Sequence, residues 1–463
     1  MARTTKKKPA MTPEEKLEQA LVPEAEQPYK VPENWCWTTI DDVLAILNGY
    51  AFKSKNYVES GIRIIRIANV QDGYVEDEKP VYYPFNSKDE IKRFLLADND
   101  LLISLTGNVG RVAFLSADLL PAALNQRVGC LRIRDNIPLL IRFLYYFLLR
   151  REFQDSCIKN AKGSAQLNMS TEWLKHQPIP LPPLPEHHRI VTRIESLFAK
   201  LDEAREKAQA VVDGFEDRKA AILHKAFTGE LTEGWRRENG IAKDDWEEKR
   251  LANVSVLQTG LMKGKRFKGN TRTMPYLRVA NVQDGYLDLS EIKGIEVEES
   301  SISRYLLHEG DVLFTEGGDY DKLGRGTVWH NEIPNCLHQN HVFVVRPDID
   351  KLLPKYLSLQ AGSNYGKKYF ISCSKQTTNL ASINSTQLKN FPVILPQITE
   401  QKEIVEETVK YISRLQEAKE AAILAIDQID TMKKSILARA FRGELGTNDP
   451  EEESAVELLK RVF

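Results

Sequence analysis

Two hydrophobic patterns alternate along this chain, and each occurs twice. In the first, short apolar runs are separated by Gly, Asn and Asp clusters. Residues 62–70, 101–105, 109–115 and 128–133 have the length and bounding turns of strands, and 139–153 reads as a helix with a counterpart over 352–360. That is the pattern of a loop-rich α+β domain of mixed or antiparallel strands with helices. In the second, apolar residues recur at alternating steps of four and three: Ile190, Ile194, Leu197, Leu201, Ala204, Ala208, Val211, Phe215, then Ile222. No proline interrupts 186–227, and Gly214 alone breaks the pattern. The spacing predicts a helix of about 42 residues, roughly 60 Å long. Pro182, Pro183 and Pro185 stiffen the approach, and Gly229 stands where a C-terminal cap is wanted.

The second copy of each pattern makes the chain an internal duplication. Residues 65–75 read IRIANVQDGYV and residues 277–287 read LRVANVQDGYL, with eight of eleven positions identical. Asp100-Leu101-Leu102-Ile103 recurs as Asp311-Val312-Leu313-Phe314, and Gly110-Arg111 as Gly324-Arg325. Ala226-Phe227-Thr228-Gly229-Glu230-Leu231 recurs as Ala440-Phe441-Arg442-Gly443-Glu444-Leu445. The helical seam recurs in register at Ile404, Thr408, Tyr411, Leu415, Ala418, Ala422, Ala425, Ile429 and Ile436. So narrow a seam needs a close-packed helical partner. Because one chain holds both copies, an intramolecular antiparallel pair is expected in preference to a homodimeric coiled coil.

Composition changes this picture little. The 463 residues exceed one ordinary core, so two or more domains are expected. No apolar run is long enough to span a membrane, and the basic start is followed by no apolar stretch, so neither a membrane span nor a secretory signal is expected. Five scattered cysteines without a C-x-x-C pair point to reduced thiols, hence a cytoplasmic location, and away from structural zinc. The net charge of −1 gives no support to nucleic-acid binding, but a binding face needs only local basic clustering.

Catalytic signatures are missing. There is no P-loop, no Asn/Asp-Pro-Pro-aromatic signature of amino-methyltransferases and no Gly-rich cofactor loop after a strand. His338-x-x-His341 lacks the Glu of a zincin, Pro347-Asp348 is followed by Glu-x-Lys only far downstream, as at 417–419 within the long helix, and His187-His188 read as solvated or at a subunit contact. No catalytic residue and no metal site are expected. Two similar domains carried by antiparallel helices form a pseudo-two-fold object that could read two separated half-sites on duplex DNA. Different loops in the two domains would make the half-sites unlike.

The order of these segments resembles the specificity (S) subunit of type I restriction–modification enzymes over nearly all of the chain after residue 30. The resemblance rests on Pro32-Glu33-Asn34-Trp35, on Ile179-Pro180-Leu181-Pro182-Pro183-Leu184-Pro185-Glu186 entering the first helix, and on Gly229-Glu230-Leu231-Thr232-Glu233-Gly234-Trp235-Arg236 leaving it. The later stretch 440–445 lacks the Trp-Arg ending. The resemblance implies target-recognition domains over 31–185 and 237–398, a helical spacer over 186–236 and a matching helix over 399–445. Flexible tails are expected over 1–30 and 446–463. It also implies a non-catalytic DNA-recognition subunit with double-stranded DNA, two modification (M) and two restriction (R) subunits as partners. Methylation of adenine N6 would use S-adenosylmethionine in M; ATP and magnesium would serve R, leaving this chain without a cofactor of its own. A self-contained methyltransferase or nuclease, and a coiled-coil scaffold that does not touch DNA, are the competing readings.

Candidate DNA contacts follow from chemistry, since direct readout needs Arg, Lys, amides or hydroxyls on loops. In the first domain these are Lys53 and Lys55; Thr106, Asn108 and Arg111; Gln126 and Arg127; and Lys162, Ser164, Gln166 and Asn168. In the second they are Lys263, Lys265, Arg266 and Lys268; Tyr320, Lys322 and Arg325; Gln339, Asn340 and His341; and Lys375, Gln376, Thr377 and Asn379. The run 263–268, four cations in six residues, is the clearest basic cluster among these loops and suits phosphate contact. The shared Arg-x-Ala-Asn and Gln-Asp-Gly-Tyr segments are expected to shape the domain, because readers of different half-sites would not share discriminating residues.

Overall fold

The computed structural model describes residues 11–134, 137, 139–163, 166–262, 269–318, 323–376 and 381–461. The chain divides into two compact units, Met1–Lys207 with Ala425–Phe463, and Ala208–Leu424. Each unit therefore holds one loop-rich domain, the start of the long helix that follows it and the far end of the other long helix.

Unit 1 runs through α1 (Pro13–Ala20), β1 (Cys36–Thr39), α2 (Ile40–Val43), β2 (Leu44–Asn48), β3 (Ile62–Ile65), β4 (Tyr82–Tyr83), β5 (Leu101–Ser104), β6 (Val112–Phe114), β7 (Ala122–Leu124) and β8 (Val128–Ile133). Then come α3 (Ile141–Leu148), α4 (Arg151–Asn160), α5 (Thr171–Lys175), β9 (Pro178–Leu181) and the first part of α6 (Leu184–Asp213). Its sheets are an antiparallel β2-β8-β5-β6, a mixed β4-β3-β7 and the pair β1-β9. The apolar faces of the four-stranded sheet explain its sequence: β5 is buried throughout, and β8 is buried until it emerges at Arg132 and Ile133.

Unit 2 begins within α6 and continues with α7 (Phe215–Thr228), α8 (Glu233–Asn239), β10 (Glu247–Arg250), β11 (Ser255–Thr259), β12 (Thr271–Leu277), β13 (Lys293–Glu298), α9 (Ile302–Tyr305), β14 (Val312–Thr315), β15 (Gly317–Gly318), β16 (Gly326–Val328), β17 (Leu337–His338) and β18 (Val342–Pro347). It ends with α10 (Pro354–Gly362), α11 (Asn364–Cys373), β19 (Lys375–Gln376), β20 (Ala381–Ser382), α12 (Ser385–Lys389), β21 (Pro392–Leu395) and the start of α13 (Ile398–Ala440). The sheets β11-β18-β14-β16, β13-β12-β17 and β10-β21 repeat those of unit 1 strand for strand. The α+β fold class read from the sequence is what the structure has.

The long helices carry the duplication furthest. The first breaks at Gly214 into α6 and α7, whereas α13 continues for 43 residues through Gln428, the residue at the matching position. Glycine is a poor helix former, which accounts for the difference. In unit 1 the two helices run antiparallel: Asp202 pairs with Lys433 Nζ at 2.5 Å, and Arg205, one turn later, with Asp430. In unit 2 Lys419 Nζ lies 4.2 Å from the Phe215 ring centre, while Leu223 and Phe227 share a core with Ile404. The direction there is antiparallel too. The seam is buried at Ile190, Ile194, Ile404, Thr408 and Ile429. It departs from expectation at Tyr411, which is exposed while its neighbour Ile412 packs inward.

A wholly buried carboxylate opens each long helix, and it explains the motifs that flank the helices. Glu186 accepts from Trp35 Nε1 (2.8 Å), Thr447 Oγ1 (3.1 Å) and Asn448 Nδ2 (2.9 Å). Glu400 accepts from Trp246 Nε1 (2.9 Å), Thr232 Oγ1 (2.8 Å) and Arg236 Nη1 (2.6 Å). The second copy, lacking the Trp-Arg ending, uses an asparagine amide where the first uses a guanidinium. The segments expected as flexible tails are built into unit 1 in their described parts. Thr12 and Glu15 form a capping box on α1, and α14 (Ala455–Lys460) buries Ala455 and Leu459. Arg189 holds Glu452 through two hydrogen bonds of 2.8 and 2.7 Å.

Candidate nucleic-acid interface

The duplicated Asn-Val-Gln-Asp-Gly-Tyr segment forms the base on which the loops stand. Asn69 Oδ1 accepts from the Arg66 N–H at 2.9 Å and Asn69 Nδ2 donates to the Glu76 carbonyl at 2.7 Å; Asn281 does the same with Arg278 and Asp288. Arg111 Nη1 donates to Gln71 Oε1 (2.5 Å) and Arg325 Nη1 to Gln283 Oε1 (3.1 Å). Both arginines are thus tied to this turn. A second repeated pair anchors the central strand: Asp100 accepts from Arg132 Nε and Asp311 from Arg346 Nε, each at 2.7 Å. These positions shape the domain in both copies.

Four loops meet at one end of the four-stranded sheet in unit 1. Tyr50 bridges Asn125, and the Gln126 N–H donates to the Tyr50 carbonyl at 3.1 Å. The Leu105 N–H donates to the Arg127 carbonyl (3.0 Å), and the Met169 N–H to the Leu105 carbonyl (2.8 Å). Thr106 Oγ1 donates to Asn168 Oδ1 at 2.8 Å, while Lys162 and Asn168 exchange both backbone hydrogen bonds at 2.9 Å. The ends of the loops carrying Lys53 and Lys55, Asn108, Gln126 and Arg127, and Lys162, Gln166 and Asn168 are therefore brought together. All eight of these side chains are exposed. Thr106 is buried and acts as the holder of Asn168. Ser164 lies outside the described residues.

Unit 2 assembles the same cluster with other side chains. The Leu261 N–H donates to the His338 carbonyl and the Asn340 N–H to the Leu261 carbonyl, both at 2.9 Å. The Glu316 N–H donates to the His341 carbonyl (2.9 Å), and the Ile383 N–H to the Glu316 carbonyl (2.8 Å). β15, β20 and β19 bring Lys375 and Gln376 alongside. Gln339, Asn340, His341 and Lys375 thus stand at one end of the sheet. Lys263, Lys265, Arg266, Lys268, Tyr320, Lys322, Thr377 and Asn379 lie outside the described residues.

A carboxylate that the sequence reading passed over belongs to this cluster. Glu316 Oε2 accepts from His341 Nδ1 at 2.5 Å, and Asn340 Nδ2 lies 3.2 Å from His341 Nε2. Glu316 carries none of the cations, amides or hydroxyls that mark such loops in sequence, yet carboxylates accept from the cytosine amine in the major groove. His338, by contrast, is buried, donates from Nδ1 to the Val342 carbonyl at 2.7 Å, and has its pKa lowered by burial to about 4. It cannot act with His341 as a ligand pair, and no group of three or more His, Cys, Asp or Glu able to hold a metal ion exists among the described residues.

Amides, cations and one oriented carboxylate on converging loops are the equipment of base and phosphate recognition. The comparisons name the class. The family model for the type I restriction modification DNA specificity domain matches residues 32–211 and again 243–425. The chain belongs to that family, and its task is DNA sequence specificity without catalysis. Among curated proteins it is similar to the type I restriction enzyme EcoKI specificity subunit of Escherichia coli K12, 26% identical over 453 residues, which are 94% of this chain and 96% of that one. It is also similar to the EcoBI specificity subunit of Escherichia coli, 26% identical over 457 residues, 93% of this chain and 92% of that one. The fold matches the crystal structure of the HsdS subunit from Thermoanaerobacter tengcongensis with a TM-score of 0.60 and 19% identity, covering 91% of this chain and all of that one. No helix among the described residues is long and apolar enough to cross a membrane.

Proposed function

We propose that this chain is the sequence-reading subunit of a type I restriction–modification complex in the cytoplasm, and that each unit reads one half of an asymmetric, two-part duplex site. One observation carries this reading. The same loop cluster occurs once in each unit, on matching strands, but with unlike side chains: exposed Asn108, Arg127 and Asn168 in one, exposed His341 with half-buried Asn340 and Glu316 in the other. Equal scaffolds with different donors and acceptors call for two different half-sites. Residues 31–185 and 237–398 are the reading heads; 186–236 and 399–445 set the gap between half-sites and dock two modification subunits. Those subunits take the flipped adenine and methylate N6 with S-adenosylmethionine, and two restriction subunits supply ATP- and magnesium-dependent cleavage. Of the named contacts, the exposed loop side chains face DNA, Arg111 and Arg325 support them, and the run 263–268 meets phosphates.

Methylation mapping by single-molecule sequencing in the native host tests this. The expected result is a motif of two short, unlike blocks separated by unspecified bases, lost when the gene is deleted, with no methylation by the purified chain and S-adenosylmethionine alone. A continuous motif, or methylation by the chain without partners, would overturn it.

A further inference from the structure

The duplication provides an internal control for a cavity in unit 2. A hollow of about 480 Å3 lies where the Asp284-Gly285-Tyr286 turn meets α7, α10 and the first part of α13. Phe215, Leu223, Leu359 and Ile412 give it apolar walls, and Lys219 and Lys355 line it as well. Its volume is in the range of ligand-binding clefts.

Unit 1 fills the corresponding place from its own chain. Tyr145 holds in α3 the position that Ser358 holds in α10, and its hydroxyl would lie 3.1 Å from a Cβ on Gly73 in the equivalent turn. Its ring packs on Phe114 with centres 5.0 Å apart, and Tyr146 meets Phe198 edge-on at 5.9 Å. The matching residues in unit 2 are Val328, Leu359 and Ile412, and a Cβ on Gly285 would meet nothing within 4 Å.

The charges diverge in the same direction. In unit 1 Arg142 pairs with Glu195 at 3.1 Å and Lys433 with Asp202 at 2.5 Å. Unit 2 retains both cations, as Lys355 and Lys219, but has Val409 and Gln416 where the carboxylates stand. Asp284 pairs with Lys219 at 3.3 Å. Lys355 is left with partial burial, which lowers its pKa together with the Lys219 charge, against a weaker opposing pull from Asp284. Of these groups the Tyr145 ring and the Glu195 carboxylate have no substitute in unit 2, where Ser358 and Val409 stand in their places while the cations persist.

We propose that this cavity is a docking slot for a partner protein, which inserts an aromatic side chain next to a carboxylate. The ring takes the place that Tyr145 fills in unit 1, and the carboxylate meets Lys355 as Glu195 meets Arg142. Unit 1 fills the equivalent place with its own side chains, so the slot recruits its partner to unit 2.

The test uses the full chain and two probes, N-acetyl-tyrosine and the capped peptide acetyl-Ala-Tyr-Asp-Ala-amide, followed by saturation-transfer NMR. Both should bind with a Kd on the order of 1 mM or tighter, as expected for ligands of this size, and N-acetyl-tyrosinamide about tenfold more weakly for want of the carboxylate. Ser358→Tyr with Val409→Glu, which rebuilds the filling of unit 1, should abolish binding with an unchanged or raised melting temperature. Lys355→Ala, which leaves the apolar walls in place, should weaken both probes about tenfold and decides the matter if the double variant folds poorly. Binding that survives these variants, an amide that binds equally well, or no saturable binding up to about 20 mM overturns the slot. Binding of the amino-acid derivative with exclusion of the peptide overturns the protein partner in favour of a small acid. Self-association of the chain that the double variant breaks makes the occupant a second copy and likewise overturns it.

Discussion

His187 and His188 are neighbours in sequence and opposites in structure: the first is fully buried against Phe143, the second is exposed. Read as a pair they suggested solvation or a subunit contact. Adjacent residues on a helix point about 100° apart, so only the one on the seam side enters the core. At the equivalent position Gln401 ties down the Lys351 and Pro396 carbonyls and the Leu353 N–H. Burial lowers the His187 pKa to about 3 and that of His338 to about 4. In the unfolded chain both titrate near 6.5. As pH falls from 6.5 toward 4, the unfolded chain takes up protons that the folded chain refuses, so stability drops through that window. His187→Gln should flatten the decline in urea stability between pH 6.5 and 4; an unaltered slope would remove His187 from the account. The two buried carboxylates give a second expectation. Arg236→Met strands Glu400 and should cost about 3–5 kcal/mol. Thr447→Val removes one of three neutral donors from Glu186 and should cost about 1–3 kcal/mol. Equal losses in chemical denaturation would contradict the difference between the two sites.

Strand β8 coincides with the run read from the sequence, and the long helices appear where the four-three spacing put them, because both patterns are local. Local reading failed where a single side chain has a distant task. The helix expected over 139–153 divides at Arg150, whose guanidinium leaves the helix to lie over the rings of Phe147 (4.1 Å) and Phe441 (5.2 Å). Composition could name the polar loops, but the bridges Tyr50–Asn125 and Thr106–Asn168 that gather them join residues far apart in sequence. The same holds for Glu316, which only its pairing with His341 marks as part of the cluster. If the paired helices set the gap between half-sites, removing one heptad from each, in register, shortens the spacer by about 10 Å. That is about three base pairs of duplex. Selection of bound sequences by the assembled complex should then return the same two blocks with a gap shorter by about three; an unchanged gap would show that the helices do not set it.

Each loop-rich domain is finished by helix ends from elsewhere in the chain. Leu437, Ala440 and Phe441 complete the core around Phe143 and Phe147 in unit 1, and Leu223, Ala226 and Phe227 complete the core around Tyr356 in unit 2. This explains why the motif around Ala-Phe is repeated while the loops are not: in each unit it packs into the core and stays clear of the loop cluster's exposed side chains. A domain taken from another family member should therefore seat on the same helices and bring its own half-site with it. The most direct measurement replaces residues 31–185 with the corresponding domain of a relative of known specificity and maps methylation by the assembled complex. The account predicts that one block of the motif changes to the donor's while the other block stays as it was. A change in both blocks, or in neither with the complex intact, would contradict it.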